Sequence, residues 1–465
     1  MARLGKWGLL ALTAAGLVVF AGKLVISKQP APATAQPNPF MELFANALPH
    51  VEEALGCKLD ALPQFCSADP ANPPDDVKAH IHWHFPQLQG DTRTRVLQAC
   101  QRICGKATIA RHVDGADAIA VTVENLPIIA SWDFELAPVK SKEFLQLTLV
   151  REVVRWHLEK HYQVSRLRSS CRDAEEFDAL QSVVEGRALA VTRQVAAKLG
   201  TQALFPLLAK CDLHVPDDAA DPAIKAVSQT ALHARYRAGT RGLAFWDALD
   251  FPNAETRVFA QLPRQMTVLA RPDCWLQAQA KNQPDLATVL QSLESSLPAT
   301  EWQPTQQTWT PTMLVQVTSM LGAPKERAEK IAKSWYEGRS LIWTNRGSPD
   351  RQVALSVVRH DGDAGARGYF AFAVDLQRKQ DTLPPGTCGP MMRVVESKSV
   401  AMKLEGVDEA VLNSKQIAFA DAPPIPVCLY LARSGNLVIE CTWHGQTADA
   451  ALGEQLVQAV VAAAK

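Results

Sequence analysis

Four residues on two segments carry the clearest suggestion of a built site. Arg151-Glu152-Val153-Val154-Arg155 sets two guanidinium groups four apart around a carboxylate, and Glu185 follows in Val184-Glu185-Gly186-Arg187-Ala188. On a helix, residues i and i+4 share a face, so Arg151 and Arg155 repel each other mildly unless a carboxylate lies between them. Glu152 and Glu185 are the carboxylates to hand, and an arginine paired with Glu185 would hold two helices in register. The competing account makes both arginines ordinary solvated helix residues. Two imidazole sets offer metal chemistry instead. His80-Ile81-His82-Trp83-His84 reads as a strand with all three histidines on one face. That is a donor set for zinc or copper, with Asp75, Asp76 or Asp91 able to add oxygen, although a polar strand face looks the same. His157 and His161, four apart with Glu159 between them, are the other pair, against which stands the reading of plain surface or core histidines.

The elements that must place these groups follow from hydropathy spacing. Residues 42–56 and 92–106 read as helices, and Ile109–Val123 as strand-like. A long helix begins near Ser141 and carries Phe144, Leu145, Leu149, Val150, Val153 and Leu158 at helical spacing. A second begins at Asp173, an N-cap with Glu176 three residues on, and its apolar stripe is Phe177, Leu180, Val184, Ala188 and Val191. More helix is expected through 200–292. After Pro304 the pattern changes to a helix over 324–336, strands at 340–344, 352–358 and 367–375, strand-like residues at 391–404, a hairpin over 427–443 and a helix over 448–464. His360 to Gly368 is expected to be a hairpin connection, since its Asp361 and Asp363 lack the closing Glu of a calcium loop. The fold class is α+β: a mainly helical domain over 42–300, then an antiparallel-sheet domain over 305–465 with helices on one face.

Leu149 through Tyr162 together with Val184 through Ala188 resemble a family of exported bacterial zinc metallopeptidases of the gluzincin type. Those carry HELxHALQDQHF on one helix and VEGDA on the next. The resemblance implies that the positions of the two zinc-binding histidines are Arg151 and Arg155, that the general base is Glu152 and that the third ligand is Glu185. His161-Tyr162 sits where the family has His-Phe. Downstream, Tyr236, Gly242 and Phe245 are similar to the family's Y…GxxFVxxL helix. Pro263 through Pro272 is similar to its PxSTEQILHP block, with Thr267 in place of its Glu and Arg271 in place of its His. The similarity spans roughly residues 90–465 and implies a helical metallopeptidase-like domain. Arginine has no free lone pair and stays protonated, so it does not ligate zinc. Two glutamates alone are too few for a tetrahedral site with an activated water. The expected consequence is a site with no catalytic residue and no zinc. His157 and His161 do not restore it: six residues of shift turn that pair about 240° from the inherited face.

Composition narrows the remaining classes. The 465 residues carry 48 Lys+Arg against 48 Asp+Glu and no block of like charge, which argues against a nucleic-acid partner. There is no GxxxxGK[ST] phosphate loop and no GxSxG elbow. Arg3 and Lys6 precede an apolar run from Trp7 to Gly22, which Lys23 can extend to Ile26 by snorkelling. Residues 1–28 are therefore expected to be a membrane anchor with the N-terminus in the cytoplasm and the body outside. Cleavage near Ala33-Thr34-Ala35 is the alternative. Residues 29–41 form a proline-rich spacer. Ten cysteines suit an oxidising compartment. A turn at Ser434-Gly435 would set Cys428 opposite Cys441 for a disulfide, against two small buried residues that merely face each other. Cys57/Cys66 and Cys171/Cys211 are weaker pairs, and Cys100 with Cys104 makes no zinc set.

The function expected is a membrane-anchored, extracytoplasmic pseudo-metallopeptidase that binds a peptide or protein without cutting it. The alternatives are an active metal-dependent hydrolase rebuilt on His80/His82/His84 or His157/His161, and a structural envelope protein.

Overall fold

Asp173 opens the longest helix of the molecule among the described residues. Its carboxylate accepts from the Glu176 backbone N–H at 2.9 Å, and the Glu176 side chain turns back to accept from the Arg172 N–H at 2.9 Å. This is the reciprocal cap that the Asp173-x-x-Glu176 spacing predicts, with the return bond taken from the N–H one residue before the cap. The computed structural model describes residues 39–67, 75–107, 110–112, 118–121, 142–210, 238–249, 251–280, 283–320, 323–380, 392–419, 424–444 and 449–464. The expected anchor, most of the proline-rich spacer, Tyr236 and Cys211 lie outside the described residues.

The N-terminal half is helical. In chain order come α1 (Pro39–Ala45), α2 (Leu48–Leu55), α3 (Asp75–His84), α4 (Gly90–Ala107), α5 (Lys142–Tyr162), α6 (Val164–Ser169), α7 (Ala174–Lys198), α8 (Phe205–Lys210), α9 (238–247), α10 (Ala254–Ala260), α11 (Met266–Leu269), α12 (Pro272–Ala280) and α13 (Leu286–Gln291). The expected 42–56 helix is two helices, because Pro49 begins a new one in its first turn. A small sheet joins β1 (Gln64–Ser67), β2 (Ala110–His112) and β3 (Ala118–Val121) in the order β1-β3-β2. Helices α5 and α7 form the centre. Every residue of α5 from Phe144 to Leu158 is buried, and so is nearly every residue of α7 from Glu176 to Ala196. A helix buried on all sides has no solvent face for charged groups, so each charge it carries needs a partner inside the protein.

The C-terminal half is one antiparallel sheet of β4 (Trp302–Thr308), β5 (Trp335–Asn345), β6 (Gln352–His360), β7 (Met392–Met402), β8 (Glu409–Phe419), β9 (Ile425–Ser434) and β10 (Leu437–His444), in the order β4-β5-β6-β10-β9-β8-β7. Pro304 sits in β4 at the sheet edge, where its missing N–H costs no ladder bond. Four helices pack on it: α14 (Pro311–Met320), α15 (Lys325–Ala332), α16 (Asp363–Gln380) and α17 (Ala450–Ala463). The α+β class holds. Helices cover both faces of the sheet rather than one. Tyr430, Ile439 and Cys441 pack with Val457 and Val460 of α17, while Leu429, Leu431 and Val438 pack with Tyr369, Phe370 and Phe372 of α16. The cause is the unbroken apolar run of β9, which fills both parities of the strand.

Further expectations differ from the structure. The strand expected at 367–375 is part of α16, and the hairpin expected at His360–Gly368 is the start of that helix. Ala366, Tyr369, Phe370, Ala373 and Leu376 recur at helical spacing on its buried side. Gly365 admits the close approach, since a Cβ there would meet Ser334 Cβ at 2.7 Å. Strand β8 was not foreseen. The turn of the last hairpin is Gly435-Asn436, with Gly435 at φ +57°, so Ser434 pairs with Leu437. Cys428 therefore faces Trp443 and Cys441 faces Tyr430, and both are free thiols. Cys57 and Cys171 are free as well, so neither of the other expected pairs forms.

The two halves meet through buried polar anchors. Arg339 of β5, 0% exposed, donates to Asp173 at 2.8 Å and also bonds Glu176 at the start of α7. Gln265 bonds both backbone groups of Gly338, donating to its carbonyl at 2.7 Å and accepting from its N–H at 3.1 Å. Thr267 donates to the Tyr336 carbonyl at 2.9 Å, and Arg271 pairs with Asp361 at 2.9 Å. The 263–272 block is thus where the helical half grips the sheet. Leu286, Val289 and Leu290 of α13, expected in the helical domain, pack with the sheet core.

Candidate functional site

The expected site lies where α5, α7 and α9 cross. Gly186 of α7 and Gly242 of α9 meet backbone against backbone: a Cβ on Gly186 would lie 2.1 Å from the Gly242 carbonyl carbon. A Cβ on Gly239 would sit 3.8 Å from Glu185 Cβ, so α9 backs directly onto Glu185. Without those glycines the helices stand farther apart and Glu185 loses its wall.

Glu185 faces both arginines of α5. Arg151 Nη2 donates to Glu185 Oε2 at 2.9 Å, and Arg155 Nε lies 3.2 Å from Glu185 Oε1. Arg155 Nη1 also donates to Glu152, at 3.0 Å to Oε2 and 3.3 Å to Oε1. The side chains of Arg151, Arg155, Glu152 and Glu185 are 6%, 5%, 1% and 0% exposed. Two cations and two anions thus face one another inside the helix pair, and the carboxylates answer the Arg–Arg repulsion. These residues do not fit a zinc ion. Guanidinium groups have no free lone pair for a metal, and both glutamates already serve them.

His157 and His161 lie further along α5, with ring centroids 4.2 Å apart and the rings tilted by 47°. His157, 3% exposed, has Nε2 at 3.5 Å from Glu255 Oε1 of α10. Glu255 also takes Arg187 Nε at 2.6 Å and the Tyr162 hydroxyl at 3.2 Å. Burial alone would raise the Glu255 carboxyl, but bonds from His157 and Arg187 outweigh it and hold it low. Burial, and then the His157 charge, lower the pKa of His161. Glu159 is no base for this pair, since its carboxylate accepts from the Ser165 N–H at 2.9 Å. The two histidines border a cleft of about 650 Å³ lined also by Cys57, Arg187, Arg193 and Trp246.

The histidine triplet is not a strand. His80, His82 and His84 lie on helix α3, where the period is 3.6 and not 2. His80 and His84 share a face and stack at 4.2 Å, whereas His82 is exposed on another side. Asp178 of α7 takes the third place: His84 Nε2 lies 2.8 Å from Asp178 Oδ1. Among the described residues, His80, His84 and Asp178 are the group whose ligand atoms all fall within 4.8 Å of one another. Asp91, offered as an oxygen donor in sequence, is not in that group and is exposed. Sequence reading missed Asp178 and Glu255. Asp178 is seven residues before Glu185, two turns along the same helix, and that spacing was the available signal.

Compared with known protein families, curated proteins and solved structures, the chain has no match. The metallopeptidase resemblance accordingly rests on the motif positions themselves.

Proposed function

We propose that this chain is a membrane-anchored, extracytoplasmic pseudo-metallopeptidase that binds a peptide or protein segment without hydrolysing it. The observation that carries the reading is the buried Arg151–Glu185–Arg155–Glu152 chain. It puts fixed positive charge where a peptidase of this type needs neutral nitrogen donors, and it engages the glutamates that would otherwise ligate and act as base. The cleft beside His157, His161 and Trp246 supports a binding role, because it offers aromatic and paired polar groups to an extended segment. Anchoring rests on the apolar run from Trp7 to Ile26. Among the described residues no helix is long and apolar enough to cross a membrane.

The test uses the full chain purified in detergent and a fluorescently labelled library of ten-residue peptides. Saturable anisotropy changes without cleavage are expected, weakened by His161→Ala or Arg193→Ala at the cleft. Chelator-sensitive hydrolysis would overturn the reading in favour of a rebuilt metal-dependent hydrolase. The absence of binding by any peptide would overturn it in favour of a structural envelope protein.

A further inference from the structure

The α3–α7 contact contains a second constellation, independent of the peptide-binding reading. We propose that His80, His84 and Asp178 form a binding site for a divalent transition-metal ion that ties α3 to α7.

The geometry carries this. Two histidines at i and i+4 on one helical face are the arrangement by which a single helix presents two imidazoles to one ion. Here the rings stack at 4.2 Å, and the three ligand atoms lie within 4.8 Å of one another. Zinc bonds to nitrogen and oxygen at about 2.0–2.2 Å, so tetrahedral ligands stand about 3.4 Å apart. The 2.8 Å contact between His84 and Asp178 is a hydrogen bond, and a side-chain adjustment that opens this pair and draws His80 in toward that spacing would let an ion replace the shared proton. His80 is 5% exposed and anchors the set in the protein. The His84 and Asp178 side chains are 27% and 32% exposed, which leaves an approach from solvent.

The electrostatics agree. Glu175, one turn before Asp178, has its carboxyl raised by burial first; the Met266 N–H opposes this more strongly than either the Asp178 or the Asp173 carboxylate adds to it, and Arg241 opposes it least. A cation at Asp178 relieves part of that crowding. Two imidazoles and one carboxylate select zinc or copper over magnesium or calcium, which take oxygen donors. With three protein ligands a fourth position stays open to water, and the ion closes a loop between residue 80 and residue 178 of the chain.

The experiment strips the full chain with chelator, dialyses it against micromolar free zinc and counts bound metal per chain by mass spectrometry. The parent and His82→Ala are expected to hold about one zinc each. His84→Asn and Asp178→Asn are expected to lose it, with affinity down by tenfold or more. Zinc should raise the thermal midpoint of the parent and leave those two variants unmoved. Their zinc-free midpoints and circular dichroism report folding. His84→Asn alters a partly exposed side chain and carries the test if Asp178→Asn folds poorly. Failure of the parent to bind zinc overturns the proposal. So does binding that survives both changes, or binding that disappears in His157→Ala/His161→Ala.

Discussion

Arg151 and Glu185, 34 residues apart in sequence and each almost wholly buried, meet at 2.9 Å across the α5–α7 contact. Arg155 shares the same carboxylate from one turn further on. Removing one member of such a set leaves a buried charge unanswered, which costs about 3–5 kcal/mol. Glu185→Gln keeps the volume and removes the charge, so its urea midpoint should fall by that equivalent. Replacing all four groups together, as Arg151→Met/Glu152→Leu/Arg155→Met/Glu185→Leu, should be neutral or stabilising by about 1–4 kcal/mol. A fourfold change as damaging as Glu185→Gln alone would mean that the charges contribute more than register.

The resemblance to a zinc site makes a stronger claim about the same place. Arg151→His/Arg155→His leaves Glu152 and Glu185 in position and supplies two imidazoles at i and i+4. This double variant should gain one zinc per chain relative to the parent, measured after His84→Asn has been added to silence the α3–α7 site. A double variant that folds, by circular dichroism, yet takes up no zinc would show that the helices do not retain the spacing a metal centre needs.

Gly186 and Gly242 set that spacing. A Cβ on Gly242 would come within 1.6 Å of the Ser182 carbonyl oxygen, an overlap that no rotamer relieves because both partners are backbone. Gly242→Ala should cost about 3 kcal/mol or more, and Gly186→Ala a similar amount. Gly368→Ala, at a position with open space around it, is the control and should stay near the parent. Equal stability of Gly242→Ala and the control, by urea denaturation, would mean that α9 does not lie on α7 as described.

How much of this was legible depended on whether the deciding contact is local. The apolar spacing of α5 and the Asp173 cap are local signals, and both helices were found. The Arg–Glu185 pairing followed from charge balance between those two helices. His80-Ile81-His82-Trp83-His84 misled because histidine is nearly neutral in hydropathy, so its alternation with Ile81 and Trp83 imitates a strand. Buried Ile81 beside buried His80 fits a helix instead. Residues 367–375 misled because Tyr369, Phe370 and Phe372 favour strands, while the helical period shows only once Ala366 and Leu376 are included. The Cys428 register slipped by two residues because the turn centres on Gly435-Asn436. Asp178 gave only its two-turn spacing from Glu185 as a signal, and Glu255 gave none, since its partners are fixed by how helices pack.

Arg339 offers a test of how the two halves cooperate. Its buried guanidinium answers Asp173 and Glu176 together, at the cap of α7. Arg339→Met leaves two carboxylates facing an apolar side chain and should destabilise by about 3–5 kcal/mol. Arg339→Lys should recover little, because a single ammonium does not reproduce the two-pronged fork. In calorimetry the transition of Arg339→Met should be broader than that of the parent, or split, as the helical half and the sheet uncouple. One sharp transition at the parent midpoint would remove Arg339 from that role.

His360 predicts the acid limb of stability. It is 1% exposed, edge-on to Trp335 and tilted against Tyr369, with Nδ1 at 2.9 Å from the Ser334 hydroxyl. Burial, first, and the Arg271 charge push its pKa down from 6.5 to about 4. The folded state therefore holds it neutral while the unfolded chain takes up a proton near pH 6.5. Stability is fully present above pH 6.5 and is lost as pH falls toward 4, by about 3 kcal/mol in all. Glu337 and Glu440, raised by burial, act in the opposite sense and are common to parent and variant. His360→Gln should therefore remove most of that loss, so that parent and variant curves converge or cross between pH 7 and pH 4. Urea midpoints taken across that range decide it, and parallel curves would place the proton elsewhere.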